Sequence, residues 1–236
     1  LGCYGSPNIQ TPHLDQLAKE GMRFTDFYSG NSVCSPSRAA LLTGCYPTRV
    51  HIPGVLFPKD TTGLHPNEIT LAEMLKSAGY ATTCIGKWHL GPVKKSSPTN
   101  PGNAGFDEWL SHDNFFELNP TLSRNGGDPQ MIAGEGSEII VAAATKFIAK
   151  AKRQRKPFFV VLWYGSPHEP YSGLKHDLKL YADLPAKYNA QTFRLTSNQT
   201  GRPTTRPLGD ILQERYAEIT AMDRSIGTLR NYLTKK

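Results

Sequence analysis

A potential nucleophile, Cys34, stands just ahead of a predicted short helix that ends before Gly44. Ser35 can cap this helix, and Pro36 suits its first position, where its missing N–H group would have no helical partner. The free N–H groups of a helix N-terminus favour negative charge, and Arg38 can direct its guanidinium donors to the same place. These residue types at this spacing favour nucleophilic chemistry on a tetrahedral oxyanion. A small packed cysteine ahead of an ordinary capped helix would have the same sequence and stays an alternative.

Two further segments place titratable side chains directly after predicted strands. They are Lys87 to His89 after a strand over residues 80–85, and His168 after a strand over residues 158–164. Cys34 itself follows a third predicted strand, over residues 22–28. Because ligands of open α/β sheets bind beyond the carboxyl ends of the strands, we expect the three strand ends to meet at one site. Each histidine taken alone could equally be a hydrogen-bonded loop residue.

Helices and strands alternate along the chain, which is the pattern of an α/β protein. Helices are predicted over residues 12–20, 70–78, 137–152 and 210–233. The apolar run 158–164 is typical of a strand buried on both faces, as in a parallel sheet covered by helices. Segments rich in glycine, proline and polar residues, at 92–105, 119–136 and 165–209, are predicted to be loops. The sequence therefore predicts a largely parallel central sheet sandwiched by helices.

Composition and charge exclude some classes of protein. The chain has 236 residues, 38% of them hydrophobic and 20% charged, which is the balance of a globular domain. It contains no apolar run as long as a membrane span and no visible signal peptide. Its four cysteines lack the spacing of a zinc site. The net charge of +7 suits an anionic substrate or nucleic acid. Because the basic run at 150–156 closes a predicted helix and no recognition motif accompanies it, we predict no nucleic-acid partner.

Two motifs carry a resemblance to a known family. Cys34-Ser35-Pro36-Ser37-Arg38, followed by Ala39-Ala40-Leu41-Leu42-Thr43-Gly44, resembles the signature of the type I, formylglycine-dependent sulfatases. Gly86-Lys87-Trp88-His89-Leu90-Gly91 resembles a second motif of that family, at the expected distance. The resemblance covers essentially all of the chain, is densest over 11–113, and points to arylsulfatase-type members. It implies an alkaline phosphatase-like α/β fold, and it assigns residues 1–236 to an N-terminal catalytic domain that is truncated at both ends.

The resemblance also implies a modified nucleophile. In that family the signature cysteine is oxidised to formylglycine, and a hydroxyl of the hydrated aldehyde attacks the sulfur of a sulfate ester. The same change is implied at Cys34, made by a formylglycine-generating enzyme. Arg38 would hold the formylglycine oxygen, and Lys87 would bind the sulfate oxygens and offset their charge.

Three further residues receive roles by resemblance. His89 would take a proton from the formylglycine hydroxyl, and His168 would protonate the leaving alcohol as general acid; an imidazole suits either role. Ser111, in Leu110-Ser111-His112-Asp113, matches a family serine that hydrogen-bonds the sulfate.

The family binds one calcium ion through oxygen ligands, as a hard cation requires. By resemblance, the formylglycine at Cys34 would be one calcium ligand. The other ligands would come from an Asp-Asp pair and an Asp-Asn pair, both outside this chain. No aspartate of the chain stands in a matching motif. Family members are exported to the periplasm or cell exterior, or delivered to the lysosome, and the same is expected here.

The expected reaction is hydrolysis of a sulfate monoester of an arene or a carbohydrate. A phosphonate or phosphodiester hydrolase of the same superfamily can share the cysteine signature and stays an alternative. A non-catalytic remnant that binds sulfated glycans without a metal is a third possibility. The 236 residues by themselves are expected to be inactive, because they would lack most of the calcium ligands.

Overall fold

The computed structural model describes residues 1–57, 60, 62–114, 118–169, 171–196 and 203–235. The helices are α1 (Pro12–Glu20), α2 (Cys34–Thr43), α3 (Leu71–Ser77), α4 (Gly136–Arg153), α5 (Lys175–Lys179) and α6 (Leu208–Thr234). The strands are β1 (Ala81–Lys87), β2 (Glu108–His112), β3 (Thr121–Arg124), β4 (Gln130–Met131), β5 (Phe158–Trp163), β6 (Thr192–Thr196) and β7 (Pro203–Pro207). Short 3₁₀ helices cover Gly2–Tyr4, Pro101–Ala104 and Ala186–Tyr188.

The central sheet has the strand order β4-β3-β2-β1-β5 within the described residues. Strand β1 pairs in parallel with β2 and with β5, and its residues are buried on both faces. Strands β3 and β4 extend the sheet beyond β2 in antiparallel orientation, so the sheet is mixed. A separate hairpin pairs β6 with β7 directly before α6.

Strand β1 packs against helices on both sides, because successive residues of a strand point to opposite faces of the sheet. Cys84 belongs to a cluster with Ala39 and Leu42 of α2. Its neighbour Ile85 belongs to a second cluster, with Ile140 of α4. Helices α2 and α4 therefore lie on opposite faces of the sheet, and α6 packs on α4. The predicted α/β class, with a sheet between helices, is confirmed.

The prediction of a strand over residues 22–28 is wrong. The segment is irregular, and the side chains of Met22 and Tyr28 are 79% and 85% exposed. Aromatic residues favour a strand where a neighbouring strand and a packed face receive them, and the described residues supply neither for this segment. Strand β5 is half-buried, not buried on both faces as predicted, because it is the edge strand of the described sheet.

All three predicted loops contain some regular structure, which in residues 92–105 is the 3₁₀ helix Pro101–Ala104. Residues 119–136 include β3 and β4, and residues 165–209 include α5, β6 and β7. Strand β3 forms by pairing with β2, and the prolines at both ends of β7 obscure it in the sequence. A pattern of neighbouring residues does not encode such pairing.

The predicted helices are confirmed, with ends that shift by about two residues at most. The capping box at α3 is present: the Thr70 hydroxyl accepts a hydrogen bond from the Glu73 N–H, and the Glu73 carboxylate accepts one from the Thr70 N–H. None of the described helices is long and apolar enough to cross a membrane.

A buried ion pair joins α5 to α6. Arg224 donates hydrogen bonds of 2.8 and 2.9 Å to the two carboxylate oxygens of Asp177, which is 1% exposed. The same guanidinium contacts Glu138 at the start of α4. These carboxylates raise the pKa of Arg224, which therefore stays charged. One side chain thus holds three helices together.

Candidate active site

Cys34 is the first residue of α2, so the helix begins earlier than the sequence predicted. Val33 is the N-cap residue, and its apolar side chain cannot accept a capping hydrogen bond. Ser35, the predicted cap, lies inside the helix, and its hydroxyl accepts a hydrogen bond of 3.1 Å from the Leu56 N–H. Beyond the other end of α2, Gly44 takes the predicted left-handed conformation with φ 67°. Cys34 is thereby fixed among the unpaired N–H groups of the first helical turn, where negative charge is favoured.

Lys87 brings a buried positive charge to Cys34. It is the last residue of β1, it is 3% exposed, and its Nζ lies 3.5 Å from the Cys34 Sγ. Burial lowers the pKa of Lys87 to about 8. An anion bound beside Lys87 would favour the charged lysine, so the group is suited to accept a negatively charged ligand.

Arg38 supplies a second positive charge one turn into α2. Its Nη1 donates a hydrogen bond of 2.7 Å to the Lys87 carbonyl, and its guanidinium lies 4.6 Å above the ring of Trp163. Trp163 reaches this position because β5 approaches β1 closely at Gly86, where a side-chain Cβ would lie 2.0 Å from the Trp163 carbonyl oxygen. Burial lowers the pKa of Arg38 to about 10. The buried Arg38 Nε has no hydrogen-bond partner among the described residues.

His89 has the arrangement of a general base. Its Nε2 lies 2.7 Å from the Leu56 carbonyl oxygen, and because a carbonyl only accepts, we assign the proton to Nε2. Nδ1 is then the ring nitrogen left to interact with Cys34, and this buried atom forms no other hydrogen bond among the described residues. The backbone of His89, with φ 54°, donates to the Asp113 carbonyl and so continues the pairing of β1 with β2.

His168 approaches Cys34 from the loop after β5. Its Nδ1 lies 2.8 Å from the Glu169 carbonyl oxygen, so we assign the interaction with Cys34 to Nε2. Interactions with His168 and then with His89 lower the pKa of Cys34 to about 4, and the charge of Lys87 adds to them. With Cys34 unmodified, these surroundings therefore favour the negatively charged form of its side chain.

The structure therefore brings Cys34, Arg38, Lys87, His89 and His168 to one place, at the carboxyl ends of β1 and β5. Ser111 lies on β2 beside Gly86, is fully buried, and donates a hydrogen bond of 3.3 Å to the Cys84 carbonyl. Its contact with a sulfate stays a prediction.

His112 is a residue of this site that the sequence analysis did not single out. It is the register partner of Lys87 on β2, and its Nδ1 accepts a hydrogen bond of 3.0 Å from the Asn114 N–H. Burial lowers the pKa of His112, the charge of Asp113 opposes this shift, and the charge of Lys87 adds to it. Because Nδ1 accepts from Asn114, Nε2 is the ring nitrogen that can donate a hydrogen bond. The signal in the sequence was its place directly after Ser111.

An open cavity of about 730 Å³ lies in front of Cys34. Its walls are largely apolar and include Tyr28, Leu41, Tyr46 and Trp163, while Arg38 supplies its charge. The cavity can admit a substrate that joins an anionic group to a larger organic body.

The described residues do not form a calcium site. They contain no group of three or more histidine, cysteine, aspartate or glutamate side chains placed to hold a metal ion. Calcium needs about six to eight oxygen ligands, whereas the neighbours of Cys34 are the nitrogens of Lys87 and two histidines.

Comparison with solved structures defines the class of fold. The crystal structure of Ps i-CgsB superposes with a TM-score of 0.82 at 25% identity, covering 99% of this chain and 51% of that one. A protein of the alkaline phosphatase superfamily from Vibrio parahaemolyticus matches with a TM-score of 0.54 at 20% identity, covering 100% of this chain and 47% of that one. The chain thus has the α/β fold of that superfamily.

Comparison with family models and curated relatives is more specific. The family model described as Sulfatase matches residues 1–236. Arylsulfatase A of Homo sapiens is 38% identical over 256 residues, covering 97% of this chain and 46% of the human protein. The ulvan-active sulfatase of Formosa agariphila is 33% identical over 234 residues, covering 97% of this chain and 43% of that protein. The chain belongs to the sulfatase family, and it spans about half the length of the curated relatives it matches.

Proposed function

We propose that the protein containing this chain hydrolyses sulfate monoesters of arenes or carbohydrates. The observation that carries the proposal is the placement of Cys34 at the start of α2, with Lys87, His89 and His168 around its sulfur, in a member of the sulfatase family. The names of two relatives, arylsulfatase A and the ulvan-active sulfatase, support a sulfated aromatic or polysaccharide substrate.

The surroundings of Cys34 fit a formylglycine at this position. The side chain is half-buried at a helix N-terminus, next to two cations and two imidazoles, which suits the oxygens of a hydrated aldehyde. The hydrated aldehyde supplies the hydroxyl that attacks sulfur. A formylglycine-generating enzyme is the partner that this proposal requires.

Lys87 and Arg38 act on charge. Lys87 offers its ammonium to the sulfate oxygens beside position 34, where burial strengthens the attraction. Arg38 is held by the Lys87 carbonyl and by the Trp163 ring, so its guanidinium orients the oxygens at position 34 without reorganising. Both cations are in place before substrate arrives.

The two histidines act on protons. His89 presents the Nδ1 lone pair, while the Leu56 carbonyl keeps the proton on Nε2, and so it can take a proton from a hydroxyl at position 34. His168 has its Nδ1 fixed by the Glu169 carbonyl and can hold a proton on Nε2 for the leaving alcohol. Cleavage of the ester requires one group that accepts a proton and one that donates a proton. His89 can be the acceptor and His168 the donor.

The metal and the remaining structure belong to a longer protein in this proposal. Calcium would need oxygen ligands that the described residues do not supply around position 34. The exposed apolar side chains of residues 22–28 and the free edge of β5 would then be covered by further strands. The isolated chain should accordingly show no sulfate ester hydrolysis.

The test compares two esters on the longer protein, made with a formylglycine-generating enzyme. Nitrophenyl sulfate and nitrophenyl phosphate are supplied at equal concentration with calcium, and nitrophenolate release is followed. Faster turnover of the sulfate is expected. Faster turnover of the phosphate would favour the phosphonate or phosphodiester hydrolase instead, and binding of sulfated glycan without any turnover would favour a non-catalytic role.

A further inference from the structure

A groove of about 460 Å³ lies on the face of the sheet opposite to Cys34, between α4 and the strands β2 and β3. Its floor and walls include the apolar side chains of Ile85, Leu110 and Ile132. Its rim carries the basic side chains of Arg124, Lys146, Lys150 and Arg153.

The rim has an excess of positive charge. Lys150 forms an ion pair with Glu108, the only carboxylate among the described residues that line the groove. Arg124, Lys146 and Arg153 are exposed, and they form no hydrogen bond or ion pair through their side chains with other described residues. Three cations of this groove therefore have no anionic partner among the described residues.

The cations form a row instead of a single point of charge. Lys146, Lys150 and Arg153 follow each other at helical spacings of four and three, so they share one face of α4. At a rise of about 1.5 Å per residue, the row extends roughly 10 Å along the helix. Repeated anionic groups along a polymer match such a row better than one isolated anion does.

The groove lacks the features that bind nucleic acids. Single-stranded nucleic acids stack their bases on exposed aromatic side chains, and the described aromatic residues that line the groove, Trp109 and Phe147, are buried. Duplex DNA takes a helix into its major groove, whereas α4 lies against the sheet.

We propose that this groove binds a segment of a sulfated polysaccharide chain, at a distance from the bond that is cleaved. The inference rests on the proposed function for its choice of substrate class. It adds that the substrate is a polymer, which the protein contacts both at the active site and in this groove. Binding should accordingly strengthen with the length of the chain and weaken with salt.

The test measures binding of fluorescent dextran sulfate to the longer protein, made without a formylglycine-generating enzyme so that Cys34 stays a thiol and no turnover is involved. Arg124→Gln/Lys146→Gln/Arg153→Gln should weaken binding roughly tenfold, from three exposed ion contacts of modest strength. The matched control Lys152→Gln/Arg155→Gln/Lys156→Gln removes the same charge from residues outside the groove and should change binding less than about twofold. Ala142→Trp fills the groove without changing charge and should also weaken binding.

Several outcomes would overturn the proposal. Equal losses in the groove variant and the control would mean that total charge, not the groove, binds the polymer. Unchanged binding by Ala142→Trp would place the polymer elsewhere, and equally tight binding of unsulfated dextran or of duplex DNA would reject a sulfated glycan as the occupant. The groove variant should retain its melting temperature, because the three side chains are exposed. In the longer protein it should hydrolyse nitrophenyl sulfate at the unaltered rate, so a failure of hydrolysis and a failure of this groove are separate results.

Discussion

Replacing Lys87 with methionine should lower the turnover of nitrophenyl sulfate by about two orders of magnitude or more. The Lys87 Nζ lies 3.5 Å from the Cys34 Sγ, and a sulfate bound at this position would come about as close. Two unit charges at that separation attract by roughly 5 kcal/mol at an effective dielectric constant of about 20. This value is a ceiling, because burial of the lysine opposes its charge and lowers its pKa to about 8. A net loss of about 2.7 kcal/mol already corresponds to roughly a hundredfold in rate.

The assay uses the longer protein with calcium, at the same degree of Cys34 conversion in each variant. Methionine preserves the volume of the buried side chain, so the melting temperature should change little. Lys94→Met is the matched control, since Lys94 is exposed and outside the site, and its turnover should equal that of the unsubstituted protein. A loss of less than tenfold in the folded Lys87→Met protein would refute the placement of the sulfate beside Lys87.

Other substitutions test the remaining roles. His168→Ala should slow the release of a poorly acidic sugar alcohol more than the release of nitrophenolate, because only the alcohol needs a proton; rates on the two sulfate esters measure this. In the thiol form at about pH 6, iodoacetamide should label Cys34 and spare Cys84, as read by peptide mass spectrometry. The reason is that the thiolate reacts, and the pKa of Cys34 is lowered to about 4 whereas that of buried Cys84 is raised to about 12. Labelling of Cys34 should therefore be lost as the pH falls through about 4. Arg224→Met should lower the free energy of unfolding by about 3 kcal/mol in urea denaturation, because the buried Asp177 carboxylate loses both guanidinium hydrogen bonds and keeps only His176, at 3.4 Å, beside it.

Each of these results has a control. Equal losses on the two esters would remove His168 from the role of general acid. Equal labelling of the two cysteines in the folded protein would contradict the anion-stabilising surroundings of Cys34. For Arg224 the comparison is Lys76→Met, which breaks the half-exposed pair with Asp107 and should change stability by less than about 1 kcal/mol. Equal destabilisation by the two substitutions would contradict the importance of the buried pair.

Local chemistry made much of the fold predictable. The Thr70 and Glu73 capping box and the left-handed Gly44 depend on residues within one helical turn, and the structure has both. Lys87, His89 and His168 could be placed because parallel strands bring their carboxyl ends to one edge of the sheet.

Long-range contacts account for what could not be predicted. The Ser35 hydroxyl bonds to Leu56 and not to its own helix, so the helix starts at Cys34. Residues 22–28 have the composition of a strand but lack a neighbouring strand in the described residues. His112 enters the site only through its register with Lys87, which a single segment does not reveal.

Sulfate ester hydrolysis should depend on the conversion of Cys34 to formylglycine. The most direct measurement is the initial rate of nitrophenyl sulfate hydrolysis by the longer protein, set against the fraction of Cys34 that peptide mass spectrometry finds as formylglycine. Preparations made with different amounts of the formylglycine-generating enzyme supply the range. The rate should be proportional to that fraction and absent when Cys34 is entirely thiol, and no conversion should occur at Cys3, Cys45 or Cys84. Full activity in a preparation whose Cys34 is wholly unmodified would contradict this dependence.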